Sequence, residues 1–128
     1  MNKFLLLLVL TSPAYAGEPE CLRDILNAES RGEPIEGVVA VGQSAIKKAN
    51  NENTSVCDLK GVQRKHPVKE MAEYYLTLAR HIINNPSTSV SKGADHWEVG
   101  TRPHLPGKVT RIIDNHVFYT LQPTREKR

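Results

Sequence analysis

The stretch Asn27-Ala-Glu-Ser-Arg-Gly-Glu-Pro-Ile-Glu-Gly37, continuing as Val38-Val-Ala-Val-Gly-Gln43, ends one helix, turns sharply and begins another. Upstream, Leu22, Ile25 and Leu26 stand at helical offsets from Glu29, so the four side chains share one face. A first helix is predicted over residues 19–29, stopped by Arg31-Gly32, where glycine is free to take a positive φ. Pro34 fits the first turn of a second helix, since its missing N–H costs nothing there, and Glu36 complements the helix dipole. Val38, Val41, Gly42, Ala45 and Ile46 continue that helix with mostly small residues on one face, which lets a neighbouring helix approach closely. A carboxyl at the end of an apolar face gives up hydration, the environment in which a general acid works near neutral pH. The plainer reading of Glu29 is a carboxylate paired with Arg31 at a helix end.

Outward from this stretch, the polar run 50–55 closes the second helix. From Pro67 to Asn84 the apolar residues Val68, Met71, Ala72, Tyr75, Leu76, Ala79, Ile82 and Ile83 keep the 3.6-residue period without a gap, and this segment reads as the central buried helix. Residues 84–89 read as a loop. Prolines and glycines between Trp97 and Gly107 forbid long regular structure, and His116 to Leu121 alternates as a short strand. The expected fold is α+β and mainly α, one small domain over residues 17–128 with a short C-terminal β element.

Residues 1–16 read as a secretory signal: Lys3, an apolar run from Phe4 to Leu10, and the small-x-small site Ala14-Tyr15-Ala16. Seven apolar residues are too few to cross a hydrocarbon core of about 30 Å. The expectation is export with removal of the signal, a periplasmic or extracellular location, and no stable membrane insertion. Losing Lys3 lowers the formal charge from +3 to +2, a mild balance that suits an anionic polymer without demanding one. The tail Arg125-Glu-Lys-Arg128 lacks interleaved aromatics and is no nucleic-acid patch. Cys21 and Cys57, an even pair in an exported domain, are expected to form a disulfide. Closing a loop of about 37 residues would constrain the unfolded chain by about 4 kcal/mol. It would also tie the helix of Glu29 to the loop of Gln63.

Three motifs occur in a consistent order: AESRGEPIEGVVAVGQ (28–43), SVCDLKGVQ (55–63), and KGADHW (92–97) with IDNHVFYTL (113–121). Together they resemble the cell-wall hydrolases related to spore cortex-lytic enzymes, over about residues 20–121. The resemblance implies a lysozyme-like catalytic domain acting on peptidoglycan as a monomer, without a cofactor. Glu29 falls on the position of that family's catalytic glutamate. In such a lytic transglycosylase one glutamate protonates the glycosidic oxygen and then takes the proton of the muramic acid 6-hydroxyl. A hydrolytic muramidase would need a second carboxylate, for which Asp95 is the remote candidate and Glu33 the local one. Gln63, Asp95, His96, Trp97, His116 and Tyr119 are carried over, with Glu33, as substrate-binding residues.

The chain departs from the family pattern twice. Lys47-Lys48 stand where an Asn-Arg pair is common, and Arg64-Lys65 follow Gln63 where Phe-Ser is common, which alters the substrate groove. Two other readings remain open. His96, His104 and His116 with Asp95 would suit a zinc amidase, but adjacent Asp95 and His96 diverge on regular backbone and no His-Glu-x-x-His pattern is present, so no metal is expected. A non-catalytic wall-binding protein could keep the same fold.

Overall fold

Leu22, Ile25 and Leu26 are fully buried, and they seat the first helix, α1 (Glu18–Ser30), on the core. The computed structural model describes residues 17–121; the expected export signal at 1–16 and the basic tail at 125–128 lie outside the described residues. After α1 come α2 (Ile35–Glu52), a 3-10 turn (Val56–Asp58), α3 (Lys69–Asn84), β1 (His96–Val99), β2 (Gly107–Ile113) and β3 (His116–Leu121). The fold is α+β and mainly α, with the strands gathered at the C-terminal end of the described chain.

The first two helices follow the sequence reading closely. Gly32 takes φ 85° in the turn after α1, and Pro34 is the extended N-cap of α2. The second helix runs further than expected, through Asn50 to Glu52. The Lys48–Glu52 ion pair at 2.8 Å supports this last turn, and Asn53 ends it in the left-handed region at φ 59°.

The centre of the molecule is α2, not the segment 67–84. Val38, Ala40, Val41 and Ala45 are buried, and α2 touches both other helices, the 3-10 turn, β1 and β3. In α3 only Tyr75, Ala79 and Ile82 are buried, while Met71 is 37% exposed. An unbroken 3.6-residue stripe marks one buried face, and a helix with one such face lies on the outside of a core. The small residues of α2 allow burial on several sides. A Cβ on Gly42 would stand 2.6 Å from Ile82 Cδ1, so α2 and α3 meet closely at that point.

Helix α3 also starts two residues later than its periodicity suggests, because the chain before it is held against α1. Lys65 donates its backbone N–H to the Asp24 carbonyl at 3.0 Å, and Asn27 Nδ2 donates to the Lys65 carbonyl at 2.8 Å. The Cys21–Cys57 disulfide, with Cα atoms 5.2 Å apart, joins α1 to the 3-10 turn.

The strands form an antiparallel sheet in the order β1-β3-β2. Strand β3 is its middle, with His116 to Tyr119 all buried. Strand β2 was hidden from the sequence reading because an irregularity between Val109 and Arg111 breaks its two-residue alternation. A two-residue turn joins β2 to β3, with Asp114 at φ 51°. Ile113 and Phe118 complete the core beneath the helices, with Trp97 packed against it. Strand β1 is an edge strand, and the candidate site lies along it.

Candidate functional site

Glu29 sits in the last turn of α1, one residue before the helix ends. Its carboxylate lines a cavity of about 410 Å³ together with Gln63, the β1 residues and the segment Lys60–Val62. Two N–H groups fix its orientation. The backbone N–H of Gln63 donates to Oε2 at 2.7 Å, and the Trp97 indole donates to Oε1 at 3.3 Å. Arg31 is not a partner of this carboxylate, so the simple helix-end ion pair does not describe Glu29.

Gln63 reaches Glu29 through its main chain and not through its side-chain amide. The loop is what matters, and three anchors hold it. The disulfide fixes Cys57 to α1; Arg64 Nη2 donates to the carbonyls of Val56, Cys57 and Leu59 at 3.1, 3.0 and 2.8 Å; and the Lys65 bonds clamp the segment beyond.

His96 and Trp97 also line the cavity, together with Glu29 and Gln63. Asp95, Glu33, His116 and Tyr119 do not; they stand behind its wall. Asp95 Oδ1 lies 2.9 Å from His96 Nδ1, and its Oδ2 accepts from Asn51 Nδ2 at 2.9 Å. The adjacent Asp95 and His96 side chains therefore converge instead of diverging, because Asp95 precedes β1 and is not bound by strand alternation. The other nitrogen of His96 faces Lys48 at 3.5 Å.

His116 Nε2 lies 3.0 Å from the Glu29 carbonyl oxygen. That oxygen only accepts, so Nε2 carries a hydrogen and donates it. On the far side His116 Nδ1 lies 3.2 Å from Glu33 Oε2, both side chains being 5% exposed. The contact is close without being a well-aligned hydrogen bond, and Glu33 Oε1 has no partner among the described residues. Gly37 makes room for this contact: a Cβ there would press on Glu33 Cβ and Oε1, both at 3.2 Å. The Glu33–His116 pair thus supports the backbone of Glu29 from inside the fold.

Tyr119 donates its hydroxyl to Glu98 Oε2 at 2.9 Å. Burial, and next the carboxylate of Glu98, push the Tyr119 hydroxyl well above the ordinary tyrosine range. Glu98 itself lines the cavity, and the sequence reading missed it. Burial disfavours its charge, yet the His104 backbone N–H, the Tyr119 hydroxyl and the His104 ring outweigh burial and hold Glu98 below its ordinary value. Sequence offered one signal for it, its position one residue after Trp97; the strand that carries both appears only in the structure. Lys48, Lys60, Val62, Val99 and Leu105 complete the cavity wall.

His96, His104 and His116 are each paired with a different carboxylate, Asp95, Glu98 and Glu33. Among the described residues, no three His, Cys, Asp or Glu side chains group to hold a metal ion. Fold and site together define a small α+β domain whose edge strand, helix end and clamped loop enclose an oriented carboxylate. Comparison of the chain with protein-family models, curated proteins and solved structures finds no match.

Proposed function

We propose that this protein degrades peptidoglycan, cleaving the glycan strand between N-acetylmuramic acid and N-acetylglucosamine with Glu29 as acid and base. The observation that carries the reading is Glu29 itself: a carboxylate at a helix end, oriented by two N–H donors, at the wall of a cavity with an indole beside it. The neutral acid protonates the glycosidic oxygen as that bond breaks. The resulting carboxylate then removes the proton of the 6-hydroxyl, whose oxygen bonds to the anomeric carbon. The products are a 1,6-anhydro end and a free N-acetylglucosamine hydroxyl, and no water is consumed. Trp97 offers an aromatic surface of the kind that packs against a sugar. A lysozyme-like role for an exported domain, in phage-type lysis or in wall remodelling, fits the signal read at residues 1–16.

Hydrolysis is the second reading, and Glu98 favours it. A muramidase needs a second carboxylate to activate water or to act as nucleophile, and Glu98 shares the cavity of Glu29, unlike Asp95 and Glu33. Mass spectrometry of the released muropeptides separates the readings. Anhydro ends support transglycosylation; reducing ends, heavier by one water, support hydrolysis. Free stem peptides point to the amidase instead, and no release at all to a non-catalytic wall-binding protein.

A further inference from the structure

A second cavity, of about 570 Å³, adjoins the first and shares Gln63 with it. It is lined by Asn27, Ala28, Arg31, Gln63, Arg64 and Lys65. Three of these six are cationic and none is acidic. Arg64 directs a guanidinium nitrogen at the three carbonyls around the 3-10 turn, so its charge is engaged in the loop. Arg31 and Lys65 make no ion pair among the described residues. Their charges are exposed and available to a ligand.

The cavity has a fixed frame. Asn27 Nδ2 holds the Lys65 carbonyl and the Asp24 carbonyl holds the Lys65 N–H, while the Gln63 N–H is bonded to Glu29. The backbone positions from which the two cationic side chains extend are therefore set by a helix end and a clamped extended segment.

We infer that this basic cavity binds the carboxylates of the peptide stem carried by the muramic acid residue at the Glu29 site. The inference rests on the glycan reading above and names the part of the substrate that the second cavity recognises. Continuity decides between anions. Gln63 lines both cavities, and Ala28 of the second precedes Glu29 of the first in the chain, so the anion that arrives is one attached to the sugar being cleaved. Paired cations and carboxylates form charge-assisted hydrogen bonds, stronger than neutral ones, and the contribution appears as tighter substrate binding.

The test compares soluble glycan strands bearing stems with the same strands stripped of stems by an amidase. The wild-type protein is expected to show a KM about tenfold lower for stem-bearing strands, equivalent to about 1.4 kcal/mol. The preference should shrink at high salt, which screens exposed charges. In Arg31→Gln/Lys65→Gln the ratio should fall to near one, while Arg31→Lys/Lys65→Arg keeps it. Equal KM values for the two substrates in the wild type, or a ratio that survives in the double glutamine variant, would overturn the inference and leave the glycan reading standing. Stripping phosphate-bearing wall polymers is expected to leave KM unaltered; a change there instead of the stem effect assigns the cavity to phosphate and also overturns it. If neither substrate yields cleaved glycan, the glycan reading has failed and this inference fails with it. The salt dependence is read on the wild-type protein, so the outcome does not depend on whether a variant folds.

Discussion

At the scale of single residues, Glu29 is the proposed reacting group and the Glu33–His116 pair supports its backbone. Glu29 is half-buried at the cavity wall and receives two N–H donors. Its side chain contributes little to the core, to which Leu26 is the last apolar contributor from α1. Glu29→Gln is therefore expected to retain the circular dichroism spectrum and to lose at least about a hundredfold in wall-clearing rate, the usual weight of general acid–base catalysis. Equal clearing by both proteins would remove the proposed mechanism. Glu33 and His116 are nearly inaccessible and paired, and removing one partner leaves the other buried alone. Glu33→Ala is expected to cost roughly 1–3 kcal/mol in chemical denaturation, the cost of leaving a buried polar group without its neighbour. A double variant that also replaces His116 with Gln should cost less than the sum of the two single changes.

At the scale of elements, two contacts determine how the helices and the loop sit. Gly42 brings α2 against Ile82 of α3, and a side chain there meets Ile82 at once. Gly42→Val is expected to destabilise the fold by about 1–3 kcal/mol, through overpacking, measured as a shift in the denaturation midpoint. The Cys21–Cys57 bridge ties α1 to the turn that leads into Gln63. Reduction should lower stability by roughly 2–5 kcal/mol and raise KM for wall fragments, because the Gln63 N–H that orients Glu29 lies on the tethered loop. Unchanged kinetics in fully reduced, still folded protein would show that the remaining anchors, Arg64 and Lys65, hold the loop by themselves.

For the whole molecule, the cavity carboxylate that sequence reading overlooked makes one pH-dependent contribution to stability. Glu98 is held below its ordinary value in the folded state by groups that donate to it in spite of burial. A depressed carboxylate contributes stability above the unfolded value, about 4.3 for glutamate, and loses it as pH falls through the folded value. The stability difference between wild type and Glu98→Gln should thus be largest near pH 6 and shrink toward pH 3 in denaturation experiments. A difference independent of pH would mean that the His104 and Tyr119 contacts do not discriminate between the charge states of Glu98.

Local sequence by itself determined the existence of the three helices, the turn between the first two, the export signal as an expectation, and the α+β class. Each of these depends on spacing along the chain: the period of Leu22, Ile25 and Leu26, the glycine after Arg31, the proline before Ile35. The alternation of residues 116–121 marked β3 for the same reason. Tertiary structure decided what depends on approach between distant segments. It made α2 the centre, since burial on several sides is a property of neighbours and not of one helix's own period. It brought Glu98 into the cavity of Glu29 and withdrew Glu33, Asp95, His116 and Tyr119 behind the wall, because a strand edge and a helix end meet there only after folding. It also gave Gln63 its role through a backbone N–H, a group every residue but proline carries and which no side-chain pattern can reveal.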